Sequence, residues 1–189
     1  MNTACLTAKP KRVMEPMDMD EVEVVDYDPR WPVLFDEEAK RLRAVLDPSL
    51  ILGLEHFGST SVPGLPAKPI IDILIAVRSL TDAQASFVEA LRNLDYVYWA
   101  ENPKQDRMFF VKGMPPFGSR RSHHVHVTEP QGEMWRRLAF RDYLRAHPEE
   151  AGTYRRLKTR LAAEHPTDRE AYTAAKSAYV ESVMRKAMK

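Results

Sequence analysis

The chain has 189 residues, 44% hydrophobic and 29% charged, which is enough apolar material for one core with an appended helical lobe and excludes a largely disordered chain. Its 28 Lys and Arg against 27 Asp and Glu leave a formal charge of +1, so no global field would recruit nucleic acid or an anionic membrane, and any anion site must be local. The longest apolar run, around Ile70 to Val77, is broken by Asp72 and falls far short of the roughly 20 residues of a membrane helix; no membrane partner is expected.

Residues 1–20 mix Met1, Met14, Met17 and Met19 with two prolines and carry neither period, which reads as a flexible leader. They lack the charge-then-apolar pattern of a secretory signal, so the expected address is cytoplasmic. Cys5, the single cysteine, has no partner for a disulfide or a Cys-rich metal site.

From Pro32, a residue suited to a first helical turn, Leu34, Phe35, Ala39, Leu42, Val45 and Leu46 recur at helical spacing and predict an amphipathic helix that ends near Asp47-Pro48. A strand is predicted over 51–57, and a second over 70–77, apolar on both faces as befits the centre of a sheet. Thr81 is placed to cap a helix running to Leu94. Three further strands are predicted over 96–100, 107–112 and 123–128, the first two flanking a turn at Asn102-Pro103.

After Glu129-Pro130 the pattern is helical only, over 135–146, 148–164 and 169–188, with breaks at His147-Pro148 and His165-Pro166. His147 and His165 stand where an imidazole serves the last carbonyls of a helix. Trp31, Trp99 and Trp135, with Phe140 and Tyr154, are assigned to packing in the core or between lobes. The expected fold is α/β (α+β): a mixed sheet flanked by helices over 21–130, followed by a helical lobe over 131–189 packed on it.

The connection from His56 to Pro69 is rich in glycine and hydroxyls. Gly58 permits a close backbone approach, so that N–H groups could converge on phosphate oxygens, with Ser59, Thr60 and Ser61 adding donors and Lys68 a charge. The competing reading is a tight turn whose hydroxyls satisfy their own backbone. Asp72 weighs toward a site, because a carboxylate within an apolar strand needs a metal, a cation or water to offset its desolvation.

His124 and His126 share one face of their strand by its two-residue period, with His123 opposite. Two imidazoles and one carboxylate, Asp72, would suit Zn²⁺, Mn²⁺ or Fe²⁺; a neutral His could instead serve as a general base. Packing by hydrogen bonds is the plain alternative. Arg107, Lys112, Arg120 and Arg121 surround this region in sequence and are candidates for phosphate contacts. The stretch 113–120 superficially resembles a P-loop but lacks its Lys-Ser/Thr ending and leads into a strand.

Gly58-Ser59 followed by Asp72 in an apolar strand resembles the signature of the nucleotidyltransferase superfamily. More closely, FGSTSVPGLPAKPIIDILI, DYDPRWPVLFDEEAKRL, HHVHV and WRRLAFRDYLRAHPEEAGTYRRLK are similar to the GrpB family of bacterial proteins, over roughly residues 22–187. The superfamily resemblance implies triphosphate held at Gly58-Ser59 and a strand bearing two carboxylates separated by one residue, on the same face, with a third on a neighbouring strand. Asp72 matches the first, Leu74 stands where the second would be, and His126 is placed near the third. Related helical lobes imply that Arg141, Tyr143, Lys158, Tyr172 and Lys176 line the mouth of a cleft, in a lobe where basic residues outnumber acidic ones.

Three functions follow as expectations. The first is a transferase that moves a nucleotidyl or phosphoryl-linked group to a small acceptor, with Asp72, His126 and Ser59 at its centre and a divalent ion, Mg²⁺ or a transition metal, as cofactor. The second is a nucleotide- or anion-binding module that has lost turnover with its second carboxylate. The third is a small-molecule enzyme built on a transition metal at Asp72, His124 and His126.

Overall fold

The computed structural model describes residues 22–130 and 132–189; the predicted leader, with Cys5, lies outside them. The first helix, α1 (Trp31–Val45), takes Pro32 in its first turn and buries Trp31, Ala39 and Leu42 on one face. Strands β1 (Ile51–Phe57) and β2 (Ile71–Val77) pair antiparallel. The second helix, α2 (Leu80–Arg92), is capped by Ser79, whose side chain accepts from the Asp82 amide; the cap lies two residues before the expected Thr81.

Strands β3 (Tyr96–Tyr98), β4 (Arg107–Lys112) and β5 (His123–Thr128) complete a mixed sheet in the order β1-β2-β5-β4-β3. Only β2 and β5 run parallel, and their register sets Asp72 opposite His124 and Leu74 opposite His126. The apolar reading of β2 on both faces holds, since every residue of the strand except Asp72 is buried.

One face of the sheet is sealed by α1 and α2: Ile71, Ile73, Ile75, Val77, Val125, Val127 and Phe110 share a core with Trp31, Leu42, Phe87 and Leu91. The side-chain alternation of a strand therefore turns Asp72, His124 and His126 to the other face. There the C-terminal helices gather: α3 (Glu133–Arg136), α4 (Leu138–Ala146), α5 (Pro148–Glu164), α6 (Arg169–Ala175) and α7 (Ser177–Ala187). The helix expected over 135–146 is thus interrupted at Arg137 and the one over 169–188 at Lys176, while 148–164 is continuous.

Val62 and Leu65, from the loop after β1, are buried with Leu144, Tyr154 and Val183, which fastens these helices to the β1–β2 connection. Arg145 donates to the Ser61 carbonyl at 2.8 Å and Lys158 donates to the Pro66 carbonyl, so two cations cap carbonyls that the loop leaves unpaired. The Trp135 ring lies over Gly53 of β1, where an added Cβ would sit 2.9 Å from it. Trp31 is buried, but Trp99 retains 48% of its accessible surface, contrary to a packing role. The His147 ring serves its helix end as expected, lying 2.8 Å from the Tyr143 carbonyl.

Candidate functional site

Asp72 sits at the start of β2, where the strand meets the loop from β1. Gly58 crosses directly over it with φ of +72°, a left-handed value that side chains disfavour. A Cβ at Gly58 would lie 2.3 Å from Asp72 Oδ2, so the glycine is required twice, by its backbone angle and by the approach. Beyond it a short 3₁₀ turn, Ser59–Ser61, turns the chain back.

The hydroxyls divide between the two expected roles. Ser61 donates to the Gly58 carbonyl at 2.6 Å, and Thr60 lies 3.1 Å from His56 Nε2 and 3.4 Å from the Ile70 carbonyl; both are buried and spent on the turn. Ser59 instead faces the C-terminal helices, where it interacts with the Tyr154 phenol.

The Asp72 carboxylate lies 3.0 Å from His124 Nδ1 and keeps 27% of its side-chain surface open. Burial pushes its pKa up, but the His124 hydrogen bond and the neighbouring His124, His126 and His56 rings outweigh this and hold the carboxyl below its usual range. Burial drives the His126 imidazole down to about 3 against the pull of Asp72, so it is neutral at physiological pH.

Donor atoms of Asp72, His124 and His126 all lie within 4.8 Å of one another. Among the described residues His124 Nε2 and His126 Nδ1 are buried without a hydrogen-bond partner, a state that costs free energy; with His124 Nδ1 donating to Asp72, the neutral ring leaves Nε2 as a lone pair open to a donor or a metal. One carboxylate oxygen with two imidazole nitrogens is a set that fits a transition metal better than Mg²⁺, which takes oxygen ligands.

These three residues line a cavity of about 320 Å³ together with Gly58, Ser59, Thr60, Lys68, Lys158, Arg169, Tyr172, Thr173 and Lys176. Lys68 and Lys176 stand over the Tyr172 ring, 4.5 and 3.9 Å from its centroid. Among the described residues none of Lys68, Lys158 and Lys176 is within salt-bridge distance of a carboxylate. Burial, with the nearby Arg169, Lys176 and Arg121, brings Lys68 down to about 7; burial brings Lys158 to about 7, and Lys176 to about 8 despite Asp72. Three lysines share this cavity with Asp72 as its one carboxylate among the described residues, an excess of positive charge that a polyanionic ligand would relieve.

The other candidates from the sequence fall elsewhere. Lys112 points to the helix-covered face, 2.8 Å from Glu38, which also accepts from Tyr96. Arg141 is committed to Glu55, Asp142 and the His56 carbonyl, and Tyr143 stacks on His147. Ser61 does not line the cavity. Arg107 pairs with Asp106 at 3.2 Å beside His126, Arg120 pairs with Glu23, and Arg121 lies close enough to bear on Lys68. Sequence reading did not single out Met134, Arg169 or Thr173, because only the docking of the C-terminal helices brings them to Asp72.

No helix among the described residues is long and apolar enough to cross a membrane. Residues 21–186 match the family described as GrpB protein. A UPF0157 protein of Pseudomonas aeruginosa is 51% identical over 90% of this chain and 69% of its own length. The UPF0157 protein YqkA of Bacillus subtilis is 44% identical over 85% of this chain, which spans about half of that protein (46%). Among solved structures, the conserved protein GrpB from Enterococcus faecalis is similar with a TM-score of 0.78 and 37% identity, over 88% of this chain and 97% of that one. The likeness runs through the sheet and the C-terminal helices that together enclose the cavity, and the chain belongs to the GrpB family.

Proposed function

We propose that this protein is a metal-dependent enzyme that transfers a nucleotidyl or phosphoryl-linked group to a small acceptor. One observation carries the reading: a carboxylate, two imidazoles with nitrogens unsatisfied among the described residues, and three lysines that form no salt bridge among the described residues share one cavity under a glycine turn. Asp72, His124 and His126 would hold the ion, with Zn²⁺ or Mn²⁺ favoured over Mg²⁺ by the donor set. When bound, such an ion supplies Lewis-acid stabilisation of charge on a phosphoryl oxygen.

The remaining chemistry belongs to the chain. Lys68, Lys158 and Lys176 would neutralise phosphates as compact charges, and Gly58 lets the backbone approach them without a Cβ. The Tyr172 ring fixes the directions of two of those lysines. A nucleotide or other phosphate-bearing small molecule is the ligand class, with a cytoplasmic setting as its natural source.

Leu74 favours a second reading. It occupies the position at which a second carboxylate would serve a two-metal reaction and is fully buried, which fits a module that binds but does not turn over. Calorimetric titration of inorganic tripolyphosphate, with and without Mn²⁺, tests the shared part of both readings. Binding should require Mn²⁺ and weaken at least tenfold in Asp72→Ala; binding that is indifferent to both would contradict them. Pyrophosphate release from nucleoside triphosphates supplied with small alcohol and amine acceptors separates enzyme from binder.

A further inference from the structure

On the site face the sheet continues past His126 toward β4 and β3. Alternation along β4 sends Met108 and Phe110 into the helix-covered core and leaves Phe109 on the side of Asp72. Phe109 stacks on His126, with ring centroids 4.7 Å apart at 29°, and meets His124 edge-on at 5.1 Å. Beyond β3 the same alternation brings Trp99 to this face, its amide donating to the Phe109 carbonyl at 2.9 Å and its ring 5.9 Å from that of Phe109.

Trp99 therefore ends a row of rings that begins at the candidate metal ligands. It is a large aromatic side chain left 48% exposed on the same face of the sheet as the cavity, joined to the cavity-lining His126 through Phe109. The cavity offers cations to phosphates beside His124 and His126, and from His126 the rings of Phe109 and Trp99 carry apolar aromatic surface across the same sheet face, ending in the exposed indole of Trp99, which is set edge-on to Phe109. A ligand that uses both is polyanionic at one end and planar and aromatic at the other.

We infer that Trp99, braced by Phe109, is the stacking platform for a nucleobase, so that the ligand class of the cavity is a nucleoside polyphosphate instead of a bare polyphosphate or a sugar phosphate. The inference rests on the phosphate reading of the lysine cavity and adds to it the identity of the other end of the ligand. Base stacking on an aromatic side chain tolerates any base, because every base has a π-face; the platform accordingly sets the ligand class and not the base.

The test compares ATP with inorganic tripolyphosphate, both with Mn²⁺, by calorimetry on the full chain and its Trp99→Ala and Trp99→Phe variants. ATP should bind about tenfold or more tightly than tripolyphosphate to the unaltered protein, in keeping with the worth of a stacked base. Trp99→Ala should erase most of that ratio while leaving tripolyphosphate affinity unchanged, Trp99→Phe should keep part of it, and ATP should quench tryptophan emission. Equal affinities for the two ligands in the unaltered protein, or an equal loss for both in Trp99→Ala, would overturn the platform while leaving the phosphate cavity standing. Absence of binding by either ligand would overturn both.

Discussion

Gly58 shows how much of the site hangs on a single residue. Its backbone, at φ 72° and ψ -173°, lies in a region essentially reserved for glycine and alone makes alanine unfavourable by about 1–3 kcal/mol, and the added methyl would overlap the Asp72 carboxylate. Gly58→Ala should lower the melting temperature and reduce Mn²⁺–tripolyphosphate affinity at least tenfold, read by scanning calorimetry and titration; an unaltered affinity would mean that Asp72 is not held by this turn. At this scale the sequence was informative where a residue was out of place. Asp72 stood out as a charge within an apolar strand, and the face shared by His124 and His126 followed from strand parity. Arg169 and Thr173 carried no such mark, since charged and hydroxyl residues on a helix are ordinary. Trp99 was misjudged because a strand-end tryptophan normally packs, and nothing local said that its face lay on the open side.

Among the elements, three strands were legible residue for residue, at 51–57, 107–112 and 123–128, since alternation and β-branching act locally. The helix over 148–164 was equally clear, bounded by Pro148 and by His165-Pro166. What could not be read was the order of the strands. The parallel pairing of β2 with β5 joins segments some fifty residues apart, and it is this pairing that sets Asp72 opposite His124. Breaks within the C-terminal helices were also missed: Arg137 and Lys176 keep right-handed helical angles, so no proline or glycine announces them. The break at Lys176 separates α6, which carries Tyr172, from α7, and Lys176 itself lines the cavity.

For the molecule as a whole, the cavity is a site of stored electrostatic cost. Lys68, Lys158 and Lys176 have folded pKa values near 7 or 8, below the ordinary lysine value of about 10.4 that they take when unfolded. Below pH 7 both states hold these protons and the cost of burying the charges is fully present. As pH rises from about 7 to about 10 the folded state releases them first, the unfolded state binds more protons, and stability must increase. The unliganded protein should therefore melt at a higher temperature at pH 9 than at pH 7, and saturating tripolyphosphate should flatten or reverse that trend by favouring the protonated lysines. A melting temperature that falls with pH in the unliganded protein would show that these ammonium groups are already compensated.

The central claim is that Asp72, His124 and His126 form a transition-metal site at the wall of an anion cavity. Anomalous diffraction from crystals grown with Mn²⁺ or Zn²⁺ tests it most directly. The expected result is one peak at roughly 2.0–2.2 Å from an Asp72 oxygen and a nitrogen of each histidine. No peak at these residues, with water or a rotated side chain satisfying His124 Nε2 and His126 Nδ1, would contradict the claim.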